Sequence, residues 1–320
     1  MTGNSALPIS GGLLLVDKPA GCTSHDVVGR LRRVLGTRRI GHAGTLDPMA
    51  TGLLVIAVER STKLLGHLAL TDKTYLATVR LGGSTTTDDA EGDALTVADP
   101  LAVAAVTEEA IRAAITALTG PIWQVPSSVS AIKVDGKRAY DLFRAGEEVV
   151  LAARQVTVTR FDLLGPLRLG EGYIDLDVVV ACTTGTYIRS LARDLGTGLG
   201  IGGHLTALRR TTVGPFNLGS AIDVYGSQGV PVRGEPRVEI AEEFSERVAA
   251  AIIPASQAVR NAFECRQVDE VMASDMRYGR PVQGAGLPGV YGLFHDESLL
   301  ALVQESEGLA RPRLVWDPAG

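Results

Sequence analysis

One carboxylate in this chain stands in a setting suited to chemistry. In Gly41-His42-Ala43-Gly44-Thr45-Leu46-Asp47-Pro48-Met49-Ala50-Thr51-Gly52, Asp47 sits among glycines, small residues and a proline. Gly41 and Gly44 allow close backbone approaches that a side chain would block, and Pro48 biases Asp47 toward an extended or turn geometry. A carboxylate held on a stiff corner can serve as a nucleophile or a general base. The same Asp-Pro pair also suits a helix N-cap with proline at the first helical position, so taken alone it has a structural explanation.

Three further segments carry matching chemistry. Lys73-Thr74-Tyr75 places a phenol at a strand start. Gly185-Thr186-Tyr187-Ile188-Arg189 places a second tyrosine and an arginine at a strand-to-helix junction, and Gly202 to Thr211 carries Leu208 before the paired Arg209-Arg210. Singly, Tyr75 and Tyr187 read equally well as core-face tyrosines, Arg189 as a helix-face charge and Leu208 as core.

The composition narrows the class. With 320 residues, 45% hydrophobic and 21% charged, the chain suits one large domain plus a small one. No run reaches the roughly eighteen apolar residues of a membrane span, and Met1 to Ser10 lacks the basic start and apolar core of a secretory signal, so a cytoplasmic protein is expected. Cys22, Cys182 and Cys265 are far apart and odd in number, which suggests buried free thiols. His25, His42, His67, His204 and His295 show no metal-ligand spacing and there is no P-loop, so neither a metal nor a nucleotide cofactor is implied. The net charge is −5, yet residues 1–40 sum to +4 and residues 181–215 to +3, against −3 for residues 235–250. Basic faces on an acidic protein suit a phosphate-lined partner.

The elements that must position these residues can be read from periodicity. Leu13 to Val16 reads as a buried strand. A helix follows, capped at Ser24, with Val27, Leu31, Val34 and Leu35 inward and Gly36 as its stop. Strands are expected at Leu53 to Val58, Thr74 to Leu81, Val156 to Leu163 and Ile174 to Cys182, and helices at Thr107 to Leu118 and after Ile188. Gly82 to Asp93 reads as a polar loop, Ser130 to Lys133 as extended, and the segment around Tyr140 as a short helix. Gly226 to Glu235 reads as a linker, the acidic stretch behind it as an exposed helix, and beyond Ile252 short strands at Arg280 to Val282, Val290 to His295, Leu299 to Gln304 and Pro312 to Trp316 suggest a small β-rich unit. Without strict βαβ alternation the pattern is α+β.

Together these motifs closely resemble the TruB family of pseudouridine synthases, which isomerise a uridine in the T loop of tRNA. The resemblance spans about Gly12 to Val213 and includes Val16-Asp17-Lys18-Pro19 with Thr23-Ser24, Gln124-Val125-Pro126 and Ser130-Ala131-Ile132-Lys133. Ser127-Ser128 departs from the Pro-Pro-Tyr type of sequence often found after Gln-Val-Pro in the family. The resemblance implies a pseudouridine synthase fold, a mixed and mainly antiparallel sheet flanked by helices, over residues 1–228. It further implies a linker or acidic insertion over 229–250 and a PUA-like RNA-binding domain over 251–320.

It also implies roles. Asp47 is the catalytic residue, acting at C1′, at the C2′ proton or at C6 of the base. Arg189 is its partner, since an adjacent guanidinium lowers a carboxylate pKa by about 1–3 units and orients it through two hydrogen bonds. Tyr75 stacks on the flipped base and assists deprotonation at C5, Tyr187 and Leu208 line the pocket, and His42 packs against nucleotides, with Lys63 and Asp89 also near the site. The reaction is redox-neutral and implies no cofactor; the implied partner is the T arm of tRNA, bound by a monomer. Three other readings stand beside this one: a guide-RNA-dependent homologue, disfavoured by the lack of a long Lys-rich tail; a non-catalytic tRNA-folding chaperone; and a nucleotide-binding protein with Gly41 to Thr45 as a phosphate cradle.

Overall fold

The computed structural model describes residues 11–69, 71–127, 133–134, 137–138, 151–226, 229–230 and 240–319. The expected extended start at Ser130, the helix around Tyr140 and most of the Pro/Gly linker lie outside these residues.

Period-two alternation produces the strands of the main sheet. In β4 (Lys73–Leu81), following β1 (Gly12–Lys18), β2 (Ile40–Ala43) and β3 (Thr51–Val58), the side chains of Tyr75, Ala77, Val79 and Leu81 are buried while Leu76 faces outward. With β5 (Gly120–Gln124), β6 (Arg154–Leu163), β7 (Tyr173–Cys182) and β8 (Gly203–Val213), the order across the sheet is β1-β3-β8-β4-β7-β6-β5. Most neighbours are antiparallel, but β3 and β8 run parallel, with Arg209 opposite Thr51 and Arg210 opposite Gly52. That one parallel contact sets the loop before β3, which holds Asp47, beside Leu208 to Arg210. Tyr75 of β4 lies opposite Arg210 on one side and Val180 on the other.

Helices cover both faces. α1 (Ser24–Val34) buries Val27, Leu31 and Val34 in one core with Leu14, Val16, Leu54 and Ile56. Its cap is Thr23 rather than the expected Ser24: Thr23 and Asp26 form a reciprocal capping box, which frees the Ser24 hydroxyl for another use. α2 (Glu108–Ala117) and α3 (Ile188–Gly198) cover a second core containing Ile111, Leu191, Leu195, Tyr75 and Val180. The segment expected to be a polar loop after Leu81 contains a short hairpin, Gly83–Thr85 with Ala94–Val97.

Past the linker, the acidic stretch forms α4 (Glu242–Ala250), whose Val248 and Phe244 pack into the α1 core rather than standing free. Ile253–Pro254 adds to the edge of β1, and the helix Ala255–Ala262 packs with Phe294, Leu299 and Leu302 against Leu13 and Leu15. The terminal five-stranded sheet has the order Cys265–Gln267, Val290–His295, Ser298–Ser306, Leu309–Val315 and Val282–Gln283, with the helix Glu270–Arg277 on its own small core. The two helices in this part are not legible as periodic patterns, being eight residues each.

A turn in this unit is locked by one carboxylate. Glu305 accepts the backbone N–H groups of Ala285 at 2.6 Å and Gly286 at 2.9 Å, and the Tyr291 hydroxyl at 2.9 Å. These donors, the Ala285 N–H foremost, hold its pKa at about 2 against an ordinary 4.5. Because the folded value is the lower one, the stabilisation is complete above the ordinary pKa and fades as pH falls toward the folded one. Glu305→Gln is therefore expected to lower the melting temperature at neutral pH, with the gap from wild type narrowing below pH 4.5. Thermal melts across pH check this, and a gap that does not change with pH overturns it.

Candidate active site

An irregular loop has carbonyls without ladder partners, and buried ones need donors from elsewhere. Around Asp47 these come from buried cations and one hydroxyl. Arg210, 1% exposed, donates to the Gly44 carbonyl at 3.0 Å and to that of Leu53 at 2.7 Å. Lys18, fully buried, donates to the carbonyls of Pro48 at 3.2 Å and Cys22 at 2.7 Å. The freed Ser24 hydroxyl accepts the Leu46 N–H at 2.8 Å and donates to the Leu46 carbonyl at 3.1 Å. Gly52, at φ +101°, closes the loop where a Cβ would meet the Arg210 carbonyl at 2.2 Å. Asp47 starts no helix; its carbonyl accepts the Ala50 N–H at 3.1 Å in a turn that leads into β3, so the N-cap reading fails.

Arg189 meets this loop from the first turn of α3. Its Nε lies 3.0 Å from Asp47 Oδ2 and its Nη2 donates to Oδ1 at 3.2 Å, a bidentate pair. Nη1 points the other way, donating to the Thr87 carbonyl at 2.9 Å and lying 3.5 Å from Asp89 Oδ2. The guanidinium is 6% exposed and Asp89 4%, while Asp47 is 35% exposed, so the charged cluster opens to solvent at Asp47.

Asp47, Tyr75, Tyr187, Arg189 and Leu208 line one cleft of about 290 Å³. The sequence motifs thus converge. Burial pushes the Tyr75 phenol up, against a smaller opposing effect of Arg210. Asp89 stands behind Arg189 rather than in the cleft lining. His42 does not line the cleft either; burial, then Arg210 nearby, lowers its pKa. Lys63 is exposed on the 3-10 turn Glu59–Leu64 and is not part of the cleft lining.

Several residues that build the site have no role legible in the sequence. Lys73 lines the cleft beside Tyr75, with Nζ donating to the Thr71 carbonyl at 2.6 Å and the Ala69 carbonyl at 3.1 Å; burial, then Arg210, lowers its pKa. Gln124, 1% exposed, grips the backbone of Tyr187 with both ends of its amide: Oε1 accepts the N–H at 2.7 Å and Nε2 donates to the carbonyl at 3.1 Å. One turn beyond Arg189, Arg193 donates to Asp88 at 3.1 Å and to the Val125 carbonyl at 2.8 Å, tying together the two segments that support Arg189 and Tyr187. The signal for Gln124 is its isolation as a polar residue on the inward face of a strand. Arg193 shows itself only as a charge four residues after Arg189.

Comparison with known proteins shows the family of the chain. The model of the TruB family pseudouridylate synthase N-terminal domain matches residues 32–188, and that of the tRNA pseudouridylate synthase B C-terminal domain matches residues 189–225. The chain is 52% identical to tRNA pseudouridine synthase B of Nocardia farcinica, over 97% of this chain and 94% of that protein. It is 50% identical to the protein of the same name from Arthrobacter sp., over 96% and 97%. Among solved structures it superposes on a chain of a Cbf5–Nop10–Gar1 complex with a TM-score of 0.68 and 25% identity, covering 97% of this chain and 87% of that one.

The Gln124 clamp has a measurable energy. Gln124→Ala takes the acceptor from the part-buried Tyr187 N–H, while the Tyr187 carbonyl keeps the Leu191 N–H at 3.1 Å; the orphaned N–H costs about 1–3 kcal/mol. Urea unfolding is expected to show that loss as a lower midpoint, and an unchanged midpoint overturns the clamp.

Proposed function

The chain belongs to the TruB family of pseudouridine synthases, and on that premise we propose that it converts uridine to pseudouridine at position 55 in the T loop of tRNA, with Asp47 as the reacting carboxylate. The observation that carries the reading is the bidentate Arg189–Asp47 pair, whose carboxylate is the part of the buried charged cluster that opens to solvent, in a cleft walled by Tyr75, Tyr187 and Leu208.

The reaction breaks the C1′–N1 bond, turns the uracil and forms a C1′–C5 bond; N1 gains a proton and C5 loses one. Atoms and electrons balance within the nucleoside, so a carboxylate and a fitted pocket suffice. Attack at C1′, removal of the C2′ proton and attack at C6 all use an Asp47 oxygen, and the two guanidinium bonds fix where those oxygens lie. The target base must leave its stack, at a cost of a few kcal/mol. Tyr75 offers a buried aromatic face to receive it, and Tyr187 and Leu208 supply apolar walls. Asp89 acts through Arg189, as a support. His42 and Lys63 enter only as contacts to RNA around the flipped nucleotide. In this reading residues 1–228 form the catalytic unit, 229–250 a joining segment and 251–320 an RNA-binding unit, and the protein works as a cytoplasmic monomer.

The test uses an unmodified tRNA transcript with no added metal or cofactor, and maps pseudouridine by chemical labelling. Wild type is expected to label the T-loop uridine. Asp47→Asn is expected to bind the transcript while its rate falls by on the order of 10⁴ or more, the scale for loss of a nucleophile. A wild-type protein that binds without labelling makes the chain a binding protein; an Asp47→Asn protein that still labels removes Asp47 from the chemistry.

A further inference from the structure

The two basic segments hold ten lysines and arginines, and folding engages most of them internally. Lys18, Arg30, Arg189 and Arg210 are buried. Arg30 donates to the Val224 carbonyl at 2.7 Å and lies over the rings of Tyr225 and Phe244. Arg193 pairs with Asp88 and Asp194, Arg209 with Asp17, and Arg39 stands 3.8 Å from Glu59. In the segment at 181–215, all of it among the described residues, every arginine but Arg210 has a carboxylate partner, and Arg210 is buried on loop carbonyls.

Three arginines are left. Arg32, Arg33 and Arg38 line one open hollow with Gly36 and Thr37 at the C-terminal end of α1. Among the described residues none of the three has a carboxylate partner; Arg32 donates weakly to the Ile40 carbonyl at 3.4 Å. The helix end accounts for part of this, since cations in a last turn are favourable there. It does not account for Arg38, which lies beyond the helix and is turned back by Gly36 at φ +66°. Three cations around one hollow repel each other, and an anion among them relieves that repulsion.

The hollow has a fixed relation to the cleft. Ser24, the first residue of α1, bonds to Leu46 next to Asp47, and Val34 is ten residues on, about 15 Å along the helix. A B-form duplex advances about 3.4 Å per phosphate on each strand and an A-form RNA stem somewhat less, so an RNA with its target nucleotide at Asp47 has phosphates about five steps away at this distance.

We propose that Arg32, Arg33 and Arg38 form a backbone-phosphate site for the RNA stem that continues from the loop engaged at Asp47. The proposal rests on the reading of this chain as a tRNA-modifying enzyme and adds where the stem is held. An acidic protein partner fits less well: α4, carrying Glu242, Glu243 and Glu246, already packs on α1, yet among the described residues it makes no ion pair with the three arginines. The site reads charge and spacing rather than base identity, so it contributes affinity and not choice of uridine.

The experiment is tRNA binding and steady-state kinetics for the full chain carrying Arg32→Gln, Arg33→Gln and Arg38→Gln together, across a range of salt. The plot of log K against log salt is expected to be shallower by about 2–3 for three lost phosphate contacts, with KM raised. A triple variant that melts like wild type and keeps the wild-type slope and KM overturns the proposal. Should the triple variant melt lower, Arg38→Gln alone decides, because it lies outside the helix: its slope is expected to fall by about 0.7–0.9, and no change overturns the site. A loss of binding to an acidic peptide or to anionic lipid vesicles, with the tRNA slope unaltered, also overturns it. These results are separable from the parent reading, which stands or falls on whether wild type makes pseudouridine.

Discussion

Everything at the site depends on one buried guanidinium. Taking an arginine out of water costs several kcal/mol unless its charge and hydrogen bonds are matched. Arg189 is matched from two sides, by Asp47 through two bonds and by Asp89 with the Thr87 carbonyl. The two carboxylates are not equivalent. Asp89 is 4% exposed and would be left as a buried unpaired charge without Arg189, whereas Asp47 at 35% can face a ligand. The arginine thus joins three chain segments far apart in sequence, and the fold has to hold all three to within a hydrogen bond of it. The parallel β3–β8 contact, the Gln124 grip on Tyr187 and the Arg193–Asp88 pair each restrain one of those segments.

Elsewhere in the cleft lining the electrostatics are reversed. Lys73 and Arg210 are both buried beside Tyr75, and Arg210 makes Lys73 costlier to keep charged. Their partners are carbonyls rather than carboxylates, so the wall stays positive. A positive wall in the same cleft as an open carboxylate suits a ligand whose reacting ring is uncharged and whose attached backbone is anionic. That combination describes a nucleoside within a polynucleotide, and it arises from burial and pairing, not from net charge, which is −5 for the whole chain.

The strongest periodic signals are legible in the amino-acid order alone: the strand expected at Ile174 to Cys182 is Tyr173–Cys182, and the helix expected at Thr107 to Leu118 is Glu108–Ala117. The loop at Asp47 is legible as well, because glycines and a proline around a lone acid leave few ways to pack it. β8 is not. Its pairing with β4 shifts register between Leu205 and Ala207 and again between Arg210 and Thr212, which breaks the alternation a strand reading needs. Arg210 adds to the disguise, since a wholly buried arginine inside a strand looks like surface in a sequence. The terminal helices and the Gln124 clamp escape for a related reason. Short elements and single side chains owe their position to tertiary partners that no local pattern encodes.

Charge is the property most easily misread. Sequence gives the sign of each residue but not where it goes, and runs of arginine suggest an exposed face. Here the protein uses buried cations as donors to loop carbonyls: Lys18 and Arg210 fix the loop that holds Asp47, and Arg30 fixes the approach to Tyr225. A cation suits this task because one group carries three to five donors for acceptors pointing in different directions, against two for an amide and one for a hydroxyl. The consequence for function follows directly. Each arginine committed to a carbonyl or carboxylate is removed from the surface a polyanion meets, while the short-range bonds it makes keep a rigid frame around Asp47. On the function proposed above, the arginines that hold that frame differ from the three at the end of α1, and a change in one set need not disturb the other.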